Sequence, residues 1–164
     1  MATATLTLRP SEPQDRELLF RVYASTREEE LRLVPWSDAE KEVFLRSQFD
    51  AQDRWWREHY DDTSWDVIEV GGRPGGRLYV SRWPKEIRIV EIALLPEFRG
   101  RGLGASLLEG LLQEGRESGR AVSIHVEQAN PARRLYERLG FRPVAERGVY
   151  TLMEWHPTDG GDRG

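Results

Sequence analysis

The chain contains no cysteine, which excludes disulfides, thiolate metal sites and a cysteine nucleophile and accords with a cytoplasmic location. No apolar run is long enough to span a bilayer, so no membrane partner is expected. No basic, apolar leader with a small-residue cleavage site opens the chain, since residues 1–9 (MATATLTLR) already alternate like a strand. No block of lysine and arginine stands out and the net charge is −4, which argues against duplex nucleic acid as a partner. Internal repeats and low-complexity segments are missing too. What remains is 164 residues, 38% hydrophobic and 32% charged, the make-up of a globular domain with its own core. Its mildly acidic balance suits a neutral or cationic partner.

Residues 5–9 (TLTLR) read as a first strand, and Leu18, Leu19, Val22 and Tyr23 as a helical stripe following Pro13. Two capping boxes are expected, Thr26 with Glu29 and Ser37 with Glu40, the second opening a long helix over 37–60. Strands are expected over 64–70, 76–83 and 86–95, with GGRPGG (71–76) as a hairpin turn. Leu103, Leu107, Leu108, Leu111 and Leu112 define one apolar helical face, which Gly119 ends. A strand over 121–127 precedes a short helix over 130–140, with Asn130 as N-cap, Pro131 in its first turn and Gly140 past its end. A hairpin over 144–155 closes the order. The pattern predicts an α/β (mixed α+β) fold with a central sheet and helices on its faces. One domain is expected over 1–156, followed by a flexible tail over 157–164.

The stretch LLPEFRGRGLGASLLEGLL (94–112) sets Gly100, Gly102 and Gly104 where a helix is about to begin. A helix start carries unpaired N–H groups and the positive end of the dipole, a natural site for phosphate. Glycine permits positive φ and close backbone approach. Arg99-Gly100-Arg101-Gly102-Leu103-Gly104 thus reads as a diphosphate cradle with arginines at its rim, or as a turn that packs strand against helix. It is not a P-loop, because no Gly-Lys-Ser/Thr follows. Nor is it the dinucleotide fingerprint, whose G-x-G-x-x-G spacing follows the first strand of a parallel sheet.

The pattern R-x-x-G-x-G directly after a strand ending in ALLP resembles the acetyl-CoA signature of the Gcn5-related N-acetyltransferases, the GNAT superfamily. NPARRLYERLGF (130–141) resembles that superfamily's next shared segment, and the element order from Thr5 to Trp155 matches it as well. The resemblance implies a GNAT-like acyl-CoA N-acyltransferase fold with a mixed, mostly antiparallel sheet and helices on both faces. It implies acetyl-CoA as cosubstrate and no metal. The pantetheine arm would lie along the backbone of Ile92, Ala93 and Leu94. The diphosphate would lie on Arg99, Gly100, Arg101, Gly102, Leu103, Gly104 and Ala105. Tyr136 would meet the cofactor as the acid that protonates the departing thiolate. Asn130 matches a pantetheine-contacting asparagine, although it lies six residues before the tyrosine where many members have seven; it is equally an N-cap.

A general base must take a proton from the acceptor's ammonium. Glu91, His125 and Glu127 are candidates, and many relatives use water chains instead. Strand alternation puts Glu91 opposite Val90 and Ile92 unless a bulge intervenes. The resemblance also implies an acceptor pocket walled by the first helices and the last strand pair. Glu28, Glu29, Glu30, Trp36, Trp55 and Tyr150 are its candidate residues, with Trp56, His59 and Tyr60 nearby. A charge run is also a common solvated face, and tryptophans at helical spacing are commonly core.

The expected activity is transfer of acetyl from acetyl-CoA to a primary amine, on a small molecule or a peptide. It would proceed by direct attack through a tetrahedral intermediate, stabilised by backbone N–H near Leu94. The alternative is a CoA-binding sensor or interaction module of the same fold without transfer activity. Many relatives dimerise, which makes a homodimer an expectation as well.

Overall fold

The structure is a computed structural model that describes residues 5–157. The rest of the expected tail, residues 158–164, lies outside the described residues. In chain order the elements are β1 (Leu6–Pro10), α1 (Arg16–Ser25), α2 (Glu28–Arg32), α3 (Asp38–His59), β2 (Thr63–Val70), β3 (Arg73–Arg82), β4 (Glu86–Leu94), α4 (Leu103–Ser118), β5 (Ala121–Glu127), α5 (Arg133–Arg138), β6 (Arg142–Arg147) and β7 (Tyr150–Trp155). The strands form one seven-stranded sheet in the order β1-β2-β3-β4-β5-β7-β6. β4 and β5 pair parallel, whereas β1 with β2, β5 with β7 and β6 with β7 pair antiparallel. This is the mixed α/β architecture that the element order predicts, mostly antiparallel as the resemblance implies. No helix among the described residues is long and apolar enough to cross a membrane.

Two compact units divide the chain, one holding residues up to Tyr79 with Glu91–Arg101, the other Val80–Val90 with the chain from Gly102 onward. In the first, α1 lays Leu18, Leu19, Phe20, Val22 and Tyr23 against Phe49 of α3 and Val67 of β2. Phe20 and Tyr23 both meet the Phe49 ring, at 5.7 and 5.9 Å between centroids. Each such side chain contributes about 1.5–3 kcal/mol when withdrawn from water. Arg9 binds this unit's first strand to its first helix. Its guanidinium donates twice to Asp15 at 2.8 Å and once to Glu69 at 2.8 Å. Asp15 is buried, and the Arg9 guanidinium above all holds its carboxyl below the usual range.

In the second unit, Leu103, Leu108, Leu111 and Leu112 form the buried stripe of α4, with Leu107 half-buried at its margin. Gly119 ends the helix with φ +69°. Gly115 lets α4 approach closely: a Cβ there would stand 2.9 Å from the Arg120 carbonyl and 2.9 Å from the Trp155 ring.

Three local expectations are corrected. The capping box at Ser37 and Glu40 forms reciprocally, but the one at Thr26 does not: the Thr26 hydroxyl donates back to the Tyr23 carbonyl at 2.6 Å, and Arg27 stands at the N-cap of α2. The turn after β2 is Gly71-Gly72 alone, and Pro74-Gly75-Gly76 lie inside β3. Packing explains these strand glycines. A Cβ at Gly75 would be 2.7 Å from the Phe98 ring, and one at Gly76 2.3 Å from the Ala93 carbonyl. Finally, Ala132 rather than Asn130 is the N-cap of α5, which starts at Arg133.

Candidate active site

The glycine loop adopts the conformation its composition requires. Gly100 and Gly102 have φ of +74° and +75°. A side chain in that region costs roughly 1–2 kcal/mol. Gly102 is the N-cap of α4, and its carbonyl accepts from Ser106 N–H at 3.1 Å. It offers no side-chain cap and the first turn carries no acidic residue, so the leading amides of a sixteen-residue helix meet no side-chain acceptor from the cap. A Cβ at Gly100, Gly102 or Gly104 would touch nothing within 4 Å. The glycines therefore do not serve close packing here. They leave the start of α4 bare, and that shape and polarity fit a diphosphate.

The two loop arginines behave differently. Arg99 donates from Nε to the Leu94 carbonyl at 2.9 Å and from Nη2 to the Ser25 hydroxyl at 2.9 Å, which ties the loop to the end of β4 and to α1. Arg101 lies over the ring of buried Phe98, at 5.5 Å from its centroid. Leu103 is buried, while Gly104 and Ala105 are half-buried.

β4 carries an irregularity that decides where Glu91 points. At the Pro84-Lys85 turn, Trp83 N–H donates to Glu86 O at 2.9 Å; at the far end Leu95 N–H donates to Gly75 O at 2.8 Å. From the turn, β3 takes eight steps to Gly75 and β4 takes nine to Leu95. The additional residue is a bulge, which reverses the alternation beyond it. Glu91 consequently shares a face with Arg77, and the two form an ion pair at 2.7 Å. Arg77 is 1% exposed and lies within 5.3–5.9 Å of the Tyr23, Phe49, Trp56 and Tyr79 rings. It also donates to Gln52 at 3.2 Å, and its buried Nε has no hydrogen-bond partner among the described residues. Ile92, Ala93 and Leu94 are half-buried, and the β4–β5 ladder covers only Glu86–Ile89 of a strand that runs on to Leu94.

In the second unit, His125 on β5 stands opposite Leu152, and Glu127 stands opposite Tyr150. Burial first, then Arg88 and Arg147, push the His125 imidazole below the usual histidine range, against a smaller opposing effect of Glu86. Arg88 is itself fixed, donating to Ser123 at 2.7 Å and to Glu86 at 3.0 Å. Tyr136 is buried, and its ring packs edge-on against Phe141 at 5.7 Å. Asn130 is exposed, and its Oδ1 accepts from Ala132 N–H at 2.9 Å, shaping the turn before α5.

Within the first unit, the candidate acceptor residues do not gather into one wall. Glu28, Glu29 and Glu30 are exposed on α2; Glu29 pairs with Arg32 at 2.5 Å and Glu30 with Arg27 at 2.8 Å. Trp36 lies just before α3, edge-on to Phe44 at 5.3 Å, beside a shallow groove of about 560 Å³ formed with Ala39, Glu40 and Val43. Trp55 lies near the other end of α3, stacked on His59 at 4.1 Å and edge-on to Tyr60. At about 1.5 Å rise per residue, the two tryptophans stand some 25 Å apart along the helix. Trp56 packs instead on Tyr79 at 5.8 Å, in the Arg77 cage. Tyr150 opens β7 and is 39% exposed. A further cleft of about 640 Å³ lies between Pro10, Arg16, Asp53 and Trp65, at the start of β2.

Sequence reasoning did not single out Arg77, Phe98 or Ser25. Arg77 sits in a strand whose alternation gives no sign that one polar position is buried. Phe98 and Ser25 matter only through contacts across long stretches of chain.

A glycine loop of positive φ, a bared helix start and a bulged strand before it lie on a mixed seven-stranded sheet. The acetyltransferase (GNAT) family matches residues 23–141, and the chain belongs to that family. A relative from Haemophilus influenzae, a [ribosomal protein bS18]-alanine N-acetyltransferase, is 38% identical over 40% of this chain and 45% of its own length. The chain spans about half the length of the first curated relatives it matches. Among solved structures, an acetyltransferase from Thermus thermophilus superposes with a TM-score of 0.68 at 25% identity, over 95% of this chain and 99% of that one. The PaiA N-acetyltransferase from Thermoplasma acidophilum, solved in complex with coenzyme A, shares the fold with a TM-score of 0.68 at 16% identity, over 93% and 99% of the two chains.

Proposed function

We propose that this protein is an N-acetyltransferase that moves acetyl from acetyl-CoA to a primary amine. The observation that carries the reading is the bare start of α4 behind two positive-φ glycines, in a chain of the GNAT family. Acetyl-CoA supplies an acyl group activated as a thioester. The amides that open α4, with Gly100, Gly102 and Gly104 leaving room, hold its diphosphate, while Arg99 keeps the loop fastened to Leu94 and Ser25. The backbone of Ile92, Ala93 and Leu94 takes the pantetheine amides, with N–H near Leu94 available to a developing oxyanion.

The amine must arrive neutral. Of the three candidate bases, Glu91 is committed to Arg77, whereas the surroundings of His125 favour its neutral, proton-accepting form. His125 is therefore assigned as the base, with Glu127 as the carboxylate on the same strand. Tyr136 holds the proton that the leaving thiolate takes. A deactivated CoA-binding module would keep the glycine loop but need neither His125 nor Tyr136.

The test is release of free CoA thiol in the presence of an amine panel. It should include peptides with an N-terminal alanine, because a similar protein is a ribosomal-protein alanine N-acetyltransferase. Amine-dependent thiol release by the wild type, lost in a loop variant, supports the enzyme. Acetyl-CoA binding without release for any acceptor class would return the chain to the binding-module reading.

A further inference from the structure

Arginines in this protein commonly stand next to carboxylates: Arg9 with Asp15, Arg46 with Glu42, Arg57 with Asp53, Arg82 with Glu114. Other arginines, Arg21 and Arg54 among them, also lack an ion pair among the described residues, but one corner brings two such arginines to a single ring. Among the described residues, Arg73, Arg99 and Arg101 make no ion pair; Glu69, the acid nearest Arg73 in sequence, pairs with Arg9, and Glu97, the acid nearest the other two, pairs with none of them. Arg99 is spent on the Leu94 carbonyl and the Ser25 hydroxyl. Arg73 and Arg101 are exposed, and their guanidinium carbons lie 5.3 and 5.5 Å from the centroid of one ring, that of Phe98. Phe98 itself is held in place by Gly75, whose missing side chain would overlap it. Two like charges on one aromatic platform repel each other, and an anion between them relieves that repulsion.

Arg73 does not belong to the glycine loop. It starts β3, directly after the Gly71-Gly72 turn, and brings a second segment of chain to the platform that Arg101 shares. A diphosphate of two singly charged groups is already matched by the α4 amides and the adjoining loop. A further, unneutralised guanidinium calls for a further phosphate, and coenzyme A has one: the 3′-phosphate on its ribose, a monoester carrying about −1.5 to −2 charge near neutral pH. Guanidinium suits such a group through its fork of donors, and both guanidiniums lie over the Phe98 ring.

We infer that Arg73 and Arg101, stacked on Phe98, form a phosphomonoester site that reads the 3′-phosphate of coenzyme A and sets the protein's preference for it over the dephosphorylated cofactor. The inference rests on the proposed use of acetyl-CoA. It assigns Arg73, which the family signature does not include, a role in cofactor specificity.

The experiment is titration calorimetry of the full chain with CoA and with 3′-dephospho-CoA, which needs no acceptor. Wild type should bind CoA about tenfold or more tightly than dephospho-CoA. Arg73→Gln should weaken CoA by about that factor and leave dephospho-CoA within about twofold, so that the preference disappears. Arg73→Lys should restore part of it, and Arg54→Gln, an exposed arginine on α3, should change neither constant. A wild type that binds both cofactors equally overturns the inference and leaves the acetyl-CoA reading intact. So does an Arg73→Gln variant that melts earlier yet keeps the preference, since Arg73 then only shields Phe98. A wild type that binds neither cofactor overturns the acetyl-CoA reading and this inference with it.

Discussion

Replacing Gly104 separates the ligand role proposed for the loop from any role in the fold. Gly104 is the second residue of α4, its φ is not in the left-handed region, and a Cβ added there meets nothing within 4 Å. Glycine inside a helix costs about 0.8–1.0 kcal/mol relative to alanine, so Gly104→Ala should stabilise the free protein by somewhat less than 1 kcal/mol at this terminal position. For a chain of this size that is a rise in Tm of about 2–3 °C. Gly102→Ala should act in the opposite direction, because φ is +75° there and the substitution costs about 1–2 kcal/mol. Acetyl-CoA at a hundred times its Kd should raise wild-type stability by about 2.7 kcal/mol, or some 5–10 °C. Gly104→Leu fills the space before the leading amides, so it should melt no earlier than wild type without ligand and lose that shift. The assay is a thermal melt of each variant with and without acetyl-CoA, with NAD and ATP as controls. A Gly104→Leu protein that keeps the full acetyl-CoA shift would refute the cradle. A free Gly104→Ala protein that melts several degrees early would refute the claim that Gly104 is dispensable to the fold.

Three further outcomes are expected. Tyr136→Phe keeps the ring against Phe141, so acetyl-CoA affinity should hold while kcat falls by roughly 100-fold, the low end for loss of a general acid; an unchanged kcat under chemistry-limited conditions would return Tyr136 to a packing role. His125→Gln should remove an acid limb of kcat/KM. In the wild type that limb should lie below the ordinary histidine range, because the folded protein disfavours the imidazolium, and a limb that persists in the variant belongs to another group. Asp15→Asn should cost about 2 kcal/mol, some 4–8 °C in Tm, by leaving Arg9 short of its partner. The carboxyl of Asp15 is shifted down, so its contribution is complete above the ordinary aspartate range and is lost as pH falls through the folded value. Wild type and variant should converge in stability at low pH, and parallel curves would contradict the assignment.

Local chemistry makes part of this protein legible from its residues alone. The leucine spacing of α4 and the left-handed Gly119 after it encode a helix and its end, and the reciprocal Ser37–Glu40 pair encodes the start of α3. The loop is legible for the same reason: Gly100 and Gly102 occupy a backbone region that other residues avoid, so the composition carries the conformation. Where contacts come from distant segments, the sequence is silent or points elsewhere. Gly75 and Gly76 look like a turn and lie in a strand, because Phe98 and the Ala93 carbonyl take the space of their side chains. Glu91 and Arg77 meet only because β4 takes one residue more than β3 between the hydrogen-bonded pairs Trp83–Glu86 and Gly75–Leu95, and the burial of Arg77 depends on rings from α1, α3 and β3. Trp36 and Trp55 read as one aromatic wall until the uninterrupted length of α3 separates them. Spacing and capping act within a few residues and are written in the chain, whereas close packing and strand register are decided by which segments share the same space.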